Sequence, residues 1–287
     1  MTLPHRPLGV GPLVDPVVVV AFEGWNDAGD AASGAVDHLA EVWESQAVAE
    51  LDPDDYYDFQ VNRPTVGLMD DSRRITWPTT RISVCRPPGA SRDVVLVRGL
   101  EPNMRWRGFC AELVEVVEGL GAQLVVCLGA LLADSPHTRP VPVNGTSSDP
   151  EMADSLGLAR SRYEGPTGIV GVFAEACAVA GLPTVSFWAA VPHYVAQPPC
   201  PKATIALLRR LEDLIDQPVP LGDLPERARA WERQVDELAA EDTDVADYIA
   251  SLEQREPELD LPEASGEAIA KEFERYLRRG GEQPEGG

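Results

Sequence analysis

Hydrophobic positions fall along this chain in two alternating rhythms. Residues 17–22 read Val-Val-Val-Val-Ala-Phe, an uninterrupted apolar run led by β-branched residues. That is the pattern of a strand buried on both faces. After a glycine-bearing turn, Val36, Leu39, Ala40 and Trp43 recur at helical spacing. Residues 58–61 and 82–85 read as shorter strands separated by a polar, proline-containing stretch. Residues 94–97 predict another buried strand, followed by a helix carrying Phe109, Leu113, Val116, Val117 and Leu120 on one face. A further strand is expected at 124–128, ending in Gly129-Ala130.

Residues 134–162 are rich in Pro, Ser, Thr, Asn and Gly and read as one long irregular segment, a length usually reserved for functional or disordered loops. Gly165-Pro166-Thr167-Gly168 then opens a helix through Val179, 184–190 form a late strand, and 202–215 form a helix striped with Ile205, Leu208, Leu211, Leu214 and Ile215. Strands alternating with helices predict a layered α/β fold with a largely parallel sheet. Past Pro218 the texture changes. Trp231, Val235 and Leu238 make one amphipathic stripe and Val245, Tyr248, Ile249 and Leu252 a second. Ser265 would cap a third helix with Ile269, Phe273, Tyr276 and Leu277. The expected organisation is an α/β core over 13–216, an acidic helical extension over 217–280 and a disordered tail over 281–287.

Charge sharpens that division. The 287 residues carry 47 acids and 24 bases, a net of −23, which repels phosphates and argues against nucleic-acid and anionic-membrane partners. From Glu212 onward there are 22 acids and 8 bases, so a net of −14 sits in the stretch that runs from the end of the last core helix through the helical extension to the tail. Only Lys202 and Lys271 are lysines, which leaves few positions for a catalytic amine. Cys85, Cys110, Cys127, Cys177 and Cys200 are odd in number and form no C-x-x-C pair, so neither a zinc ribbon nor a redox dithiol is indicated. No signal-peptide h-region and no membrane-length apolar run is present, and the expectation is a cytoplasmic protein with reduced thiols.

Candidate chemistry gathers in loops that follow strands, where α/β sheets place their ligand crevices. The first holds Glu23, Asn26, Asp27 and Asp30 ahead of a helix. One of these acids can cap that helix, or Glu23 or Asp27 can serve as a general base. The second holds Arg98, Glu101 and Arg105. Its arginines can clamp an anion, or pair with Glu23 or Asp27 in a structural ion network. The third holds Asp134, His137 and Arg139, with His137 a candidate acid and Arg139 a candidate anion clamp. Glu164 and Thr167 at a helix entrance, and His193 after the late strand, complete the candidates, with an ordinary turn the favoured reading of each. There is no G-x-G-x-x-G, no P-loop, no H-E-x-x-H and no G-x-S-x-G elbow, and no cofactor or metal is expected.

Three runs carry more than composition. Phe22-Glu23-Gly24-Trp25-Asn26-Asp27-Ala28-Gly29, Leu131-Leu132-Ala133-Asp134-Ser135-Pro136-His137-Thr138-Arg139-Pro140-Val141 and Tyr163-Glu164-Gly165-Pro166-Thr167-Gly168-Ile169 resemble the bacterial, chiefly actinobacterial, branch of the proteasome assembly chaperone 2 family. The resemblance implies a three-layer α/β/α core akin to nucleoside phosphorylases, a C-terminal all-helical extension, and homo-oligomerisation as a trimer. Eukaryotic and archaeal relatives are chaperones or partners in proteasome assembly, some docking through a C-terminal hydrophobic–Tyr–any-residue tail. The present chain ends Glu282-Gln283-Pro284-Glu285-Gly286-Gly287, without that tail, and Tyr276 lies too far inside to stand in for it. The leading expectation is therefore a non-catalytic interaction or assembly protein with a protein partner. The alternative is a small-molecule hydrolase or phosphorylase-like enzyme using the cleft between the loops after Phe22, Val97 and Ala130.

Overall fold

Strand β1 (Val17–Glu23) sits mid-sheet because its alternate side chains feed two separate cores. Val17, Val19 and Ala21 point into one, and Val18, Val20 and Phe22 into the other. The structure is a computed structural model that describes residues 10–69, 72–147, 149–158, 164–195 and 197–255. After β1 come helix α1 (Ala31–Val42), strand β2 (Gln46–Glu50), the short helix α2 (Pro53–Tyr56), strands β3 (Thr65–Met69), β4 (Ser72–Thr76), β5 (Arg81–Cys85) and β6 (Val94–Leu100), and helix α3 (Trp106–Gly119). Then follow β7 (Leu124–Ala133), β8 (Val143–Ser147), α4 (Pro150–Leu156), α5 (Ile169–Val179), β9 (Thr184–Pro192), α6 (Pro201–Ile215), α7 (Leu224–Glu241) and α8 (Thr243–Gln254).

Seven strands form one sheet in the order β2-β5-β6-β1-β7-β9-β8, and β3 and β4 pair only with each other. The expected parallel sheet is correct for the centre, where β6, β1, β7 and β9 run together. It needs correction at the flanks, where β2, β5 and β8 are antiparallel to their neighbours. Helices α1, α6 and α7 cover one face through Val36, Leu39, Leu207, Leu211, Leu224 and Trp231. Helices α3 and α5 cover the other through Phe109, Leu113, Val117, Ile169 and Phe173. The result is the α/β/α sandwich anticipated. Helix α7 shares the first core through Leu224, Trp231 and Val235, and α8 packs on α7, burying Ile249 and Leu252.

Several elements differ from the sequence reading. Residues 58–61 are a turn, and the polar stretch beyond them holds the β3–β4 hairpin. β7 continues to Ala133 instead of stopping at Leu128, because β9 runs alongside its whole length in register to Ala133↔Pro192. The segment 134–162 is not one irregular loop. It contributes β8, whose pairing to β9 supplies the backbone partners that its composition hides, and α4, which Asp149 caps through the Glu151 and Met152 amides. Leu238 does not join Trp231 and Val235 in the core but is exposed. The third tail helix, the 281–287 tail and Tyr163 lie outside the described residues.

Candidate functional site

The parallel strands β6, β1, β7 and β9 end at one edge of the sheet, so the loops after them are neighbours by topology. The loop after β1 turns through Gly24 and Gly29, both at positive φ. A Cβ on Gly29 would lie 2.7 Å from the Cys200 Cβ, so the turn presses on the start of α6. The Gly29 carbonyl accepts the Cys200 amide at 2.7 Å. Asp27 caps α1, its Oδ1 accepting the amides of Ala32 at 2.7 Å and Ser33 at 3.1 Å. Its Oδ2 is buried with no hydrogen-bond partner among the described residues. Burial pushes the Asp27 carboxyl above its ordinary range, against the lowering effect of those bonds. Asp30 is pushed up as well, by burial and by the nearby Glu23 charge.

Arg98, at the end of β6, joins the first two loops. It meets Glu23 at 2.6 Å and Asp37 of α1 at 3.0 Å, the ion network read as one option from the sequence. Glu101 reaches across to the other helical layer, where its Oε1 accepts the Ile169 amide at 2.9 Å and so caps α5. Burial raises the Glu101 carboxyl too. Asn26 is buried beneath the same helix start: a Cβ on Gly168 would lie 2.0 Å from its Oδ1, an atom without a hydrogen-bond partner among the described residues. Arg105 faces elsewhere, paired with Asp55 and lying 5.7 Å over the Tyr56 ring. Glu164 and Thr167 are exposed before α5.

The third loop is held by the tail helices. His137 is buried, with Nδ1 2.8 Å from the Tyr194 hydroxyl and Nε2 3.0 Å from Asp236 of α7. Its backbone amide also donates to the Tyr194 hydroxyl at 2.7 Å. These bonds all close with the ring proton on Nε2, donated to Asp236, while Tyr194 donates to Nδ1. Lys202 donates to the His137 carbonyl and to Glu232 of α7, each at 2.5 Å. Thr138 donates to Glu253 at 2.6 Å, and Arg139 caps the end of α8 by donating to the carbonyls of Arg255, at 2.9 Å, and Glu253. Asp134 lies 3.2 Å from His193 Nδ1, whose ring packs edge-on against Tyr248 at 5.1 Å.

The fold thus brings Glu23, Asp30, Arg98, Asn26, Asp27 and Glu101 to one sheet edge and draws Asp134, His137, Arg139 and His193 toward α7 and α8. Tyr194 follows the candidate His193 in the sequence, but the partners Asp37, Lys202, Glu232, Asp236 and Glu253 were not singled out from it. Lys202 had a visible signal, as one of two lysines in the chain. The others sit on helices or strand ends whose spacing shows burial but not which loop they meet. A cavity of 260 Å³ lies between the end of β9 and the tail helices, lined by Tyr194, Val195, Val235, Leu238, Glu241, Asp242 and Val245. Among the described residues no helix is long and apolar enough to cross a membrane, and no group of His, Cys, Asp and Glu is arranged to hold a metal ion.

A three-layer α/β/α protein whose strand-end loops are tied down by its own helices is the class that fold and site define. The PAC2 family model matches residues 21–239, and the chain belongs to the PAC2 family. It is 64% identical to a PAC2 family protein from Streptomyces avermitilis, over 82% of this chain and 99% of that one, with a TM-score of 0.78. It is 60% identical to a proteasome-assembly chaperone homologue from Mycobacterium tuberculosis, over 81% of this chain and 99% of that one, with a TM-score of 0.75. An archaeal proteasome activator from Pyrococcus furiosus shares the fold at 16% identity, over 81% of this chain and 97% of that one, with a TM-score of 0.66. Among curated proteins no sequence matches it.

Proposed function

We propose that this protein is a non-catalytic assembly factor that binds protein clients of the proteasome system and acts as a cytoplasmic homo-oligomer. The observation that carries this reading is the consumption of the strand-end chemistry by internal bonds. Both His137 nitrogens, the Arg98 guanidinium, the Glu101 Oε1 and two Arg139 donors are engaged in holding elements of the chain together. A general acid and an anion clamp need those same atoms free to meet a substrate. The relatives named for proteasome assembly and activation supply the client class.

The test is reconstitution. Separately produced actinobacterial proteasome α and β subunits are mixed with and without the full chain, and particle formation is followed by native electrophoresis and mass. Faster formation, or a discrete complex of the chain with one subunit type, is expected. No complex and no change in rate sinks the assembly reading. A hydrolase or phosphorylase-like activity is the competing reading, favoured by the buried, unpartnered Asn26 Oδ1 and Asp27 Oδ2. It requires turnover of an ester, amide or nucleoside that Asp27→Asn abolishes while assembly stays unchanged.

A further inference from the structure

The β3–β4 hairpin stands off the main sheet, and its register sorts its side chains onto two faces. Val66 lies opposite Ile75 and Leu68 opposite Arg73, so these four share one face, while Arg74 opposite Gly67 lies on the other. Val66 is 56% exposed, Leu68 75% and Ile75 60%, an apolar face open to water on an element that packs mainly on itself. An isolated two-stranded ribbon is at best marginally stable in water, so such a face gains most from being covered. Arg63, Arg73 and Arg74 make no ion pair among the described residues, in a chain whose net charge is −23. With Asp70 and Asp71 between its strands, the segment 63–76 carries three arginines against two aspartates, so the hairpin is an apolar projection with a small positive balance on an acidic protein.

Its complement lies on the same chain. The cavity between β9 and the tail helices has an apolar lining of Val195, Val235, Leu238 and Val245, and the ionisable groups at its rim are Glu241, Asp242 and the Tyr194 hydroxyl. Leu238 there is 58% exposed. The hairpin is rooted before β5 and the cavity lies beyond β9, four strand positions away, or about 19 Å across the sheet. Among the described residues both surfaces stay open, and their separation favours a second copy as the occupant.

We propose that the β3–β4 hairpin of one copy seats in the β9–α7–α8 groove of the next, making a head-to-tail contact between copies of this chain. This rests on the homo-oligomer part of the function proposed above and names the surfaces that build it. Because hairpin and groove are different patches, the contact is heterologous and propagates from copy to copy until it closes. The arginines steer the hairpin toward the acidic rim, and burial of Val66, Leu68, Ile75 and Leu238 holds it there.

The full chain is measured by mass photometry and light scattering beside a hairpin variant, Leu68→Asp with Ile75→Asp, and a groove variant, Leu238→Asp. The wild type is expected above the 31.0 kDa of one copy, and each variant at that mass. Mixed together, the two variants retain one intact hairpin and one intact groove, so they must form a dimer of two unlike copies and nothing larger. Arg73→Glu with Arg74→Glu, which keeps Val66, Leu68 and Ile75, must also dissociate the oligomer. A mixture that stays monomeric, or hairpin variants that keep the wild-type mass, overturns the proposal while leaving the homo-oligomer reading intact. A monomeric wild type overturns both. The reconstitution assay reports separately on client assembly.

Discussion

The Nε2 of His137 lies 3.0 Å from the carboxylate of Asp236, a residue 99 positions later in the chain. This pairing fixes a loop after β7 to the middle of α7, and it uses the ring nitrogen that an acid catalyst would need free. Its strength can be read by a double-mutant cycle. Asp236→Ala removes a half-exposed bond and is expected to cost about 0.5–1.5 kcal/mol. His137→Ala also loses the ring packed against Trp231 and Tyr194, and should cost about 2–4 kcal/mol in urea unfolding. Effects that simply add would show that the two residues do not interact.

Helix α7 belongs to the core by its packing. Trp231 is 7% exposed and shares a cluster with Leu207, Leu211 and the sheet. Trp231→Ala should destabilise the protein by about 3–5 kcal/mol. Glu237→Ala, on the exposed side of the same helix, should stay within about 0.5 kcal/mol. Equal effects at the two positions would remove α7 from the core.

Glu101 ties its stability to acid pH. Burial raises its carboxyl in the folded state, so the native protein holds that proton more tightly than the unfolded chain does. Its stabilising contribution is therefore present below about pH 4.3, the unfolded value, and is lost as pH rises through the folded value. Glu101→Gln keeps an oxygen to accept the Ile169 amide but carries no charge. Relative to wild type, the variant should gain stability between pH 4 and pH 7, measured as the shift in urea midpoint. A difference that does not change with pH would refute this.

The cysteines behave as buried hydrophobic groups. All five are free and buried. Burial pushes Cys85, Cys110 and Cys177 up to about 12, Cys200 up to about 11, and Cys127 well above its ordinary range. A thiol reagent at pH 8 should find none of them in the native protein and all of them after denaturation. Folded values above the unfolded value also mean a contribution that is complete below about pH 8.5 and lost as pH climbs through 11 to 12. Rapid native labelling would show that the core opens more readily than its packing implies.

Much of this architecture was legible in the residues themselves. The four-valine run of β1 could only be a strand with apolar neighbours on both faces, and the stripes of α3, α6 and α8 announced their buried sides. The β7 extension, β8 and the hairpin were not legible, because each depends on pairing between strands and not on periodicity. β8, Val-Asn-Gly-Thr-Ser, has almost no apolar signal of its own and exists by hydrogen bonding to β9. In the site, the acids of the first loop were visible, and the Arg98–Glu23 network was among the readings weighed. The tail's grip on His137, Thr138 and Arg139 was not, since partners 99 to 116 residues apart leave no trace in local spacing.

That separation gives the loop a place in time as well as in space. At a synthesis rate of about 5–20 residues per second, a ribosome needs roughly 5–20 s to add the hundred or so residues between His137 and the helices that bind it. Until then the loop after β7 lacks Asp236, Glu253 and the α8 carbonyls that Arg139 caps. Closure of α7 and α8 over this edge of the sheet is therefore a late folding event, and a chain arrested before Asp236 leaves the loop after β7 without the side-chain and backbone partners that hold it in the finished protein.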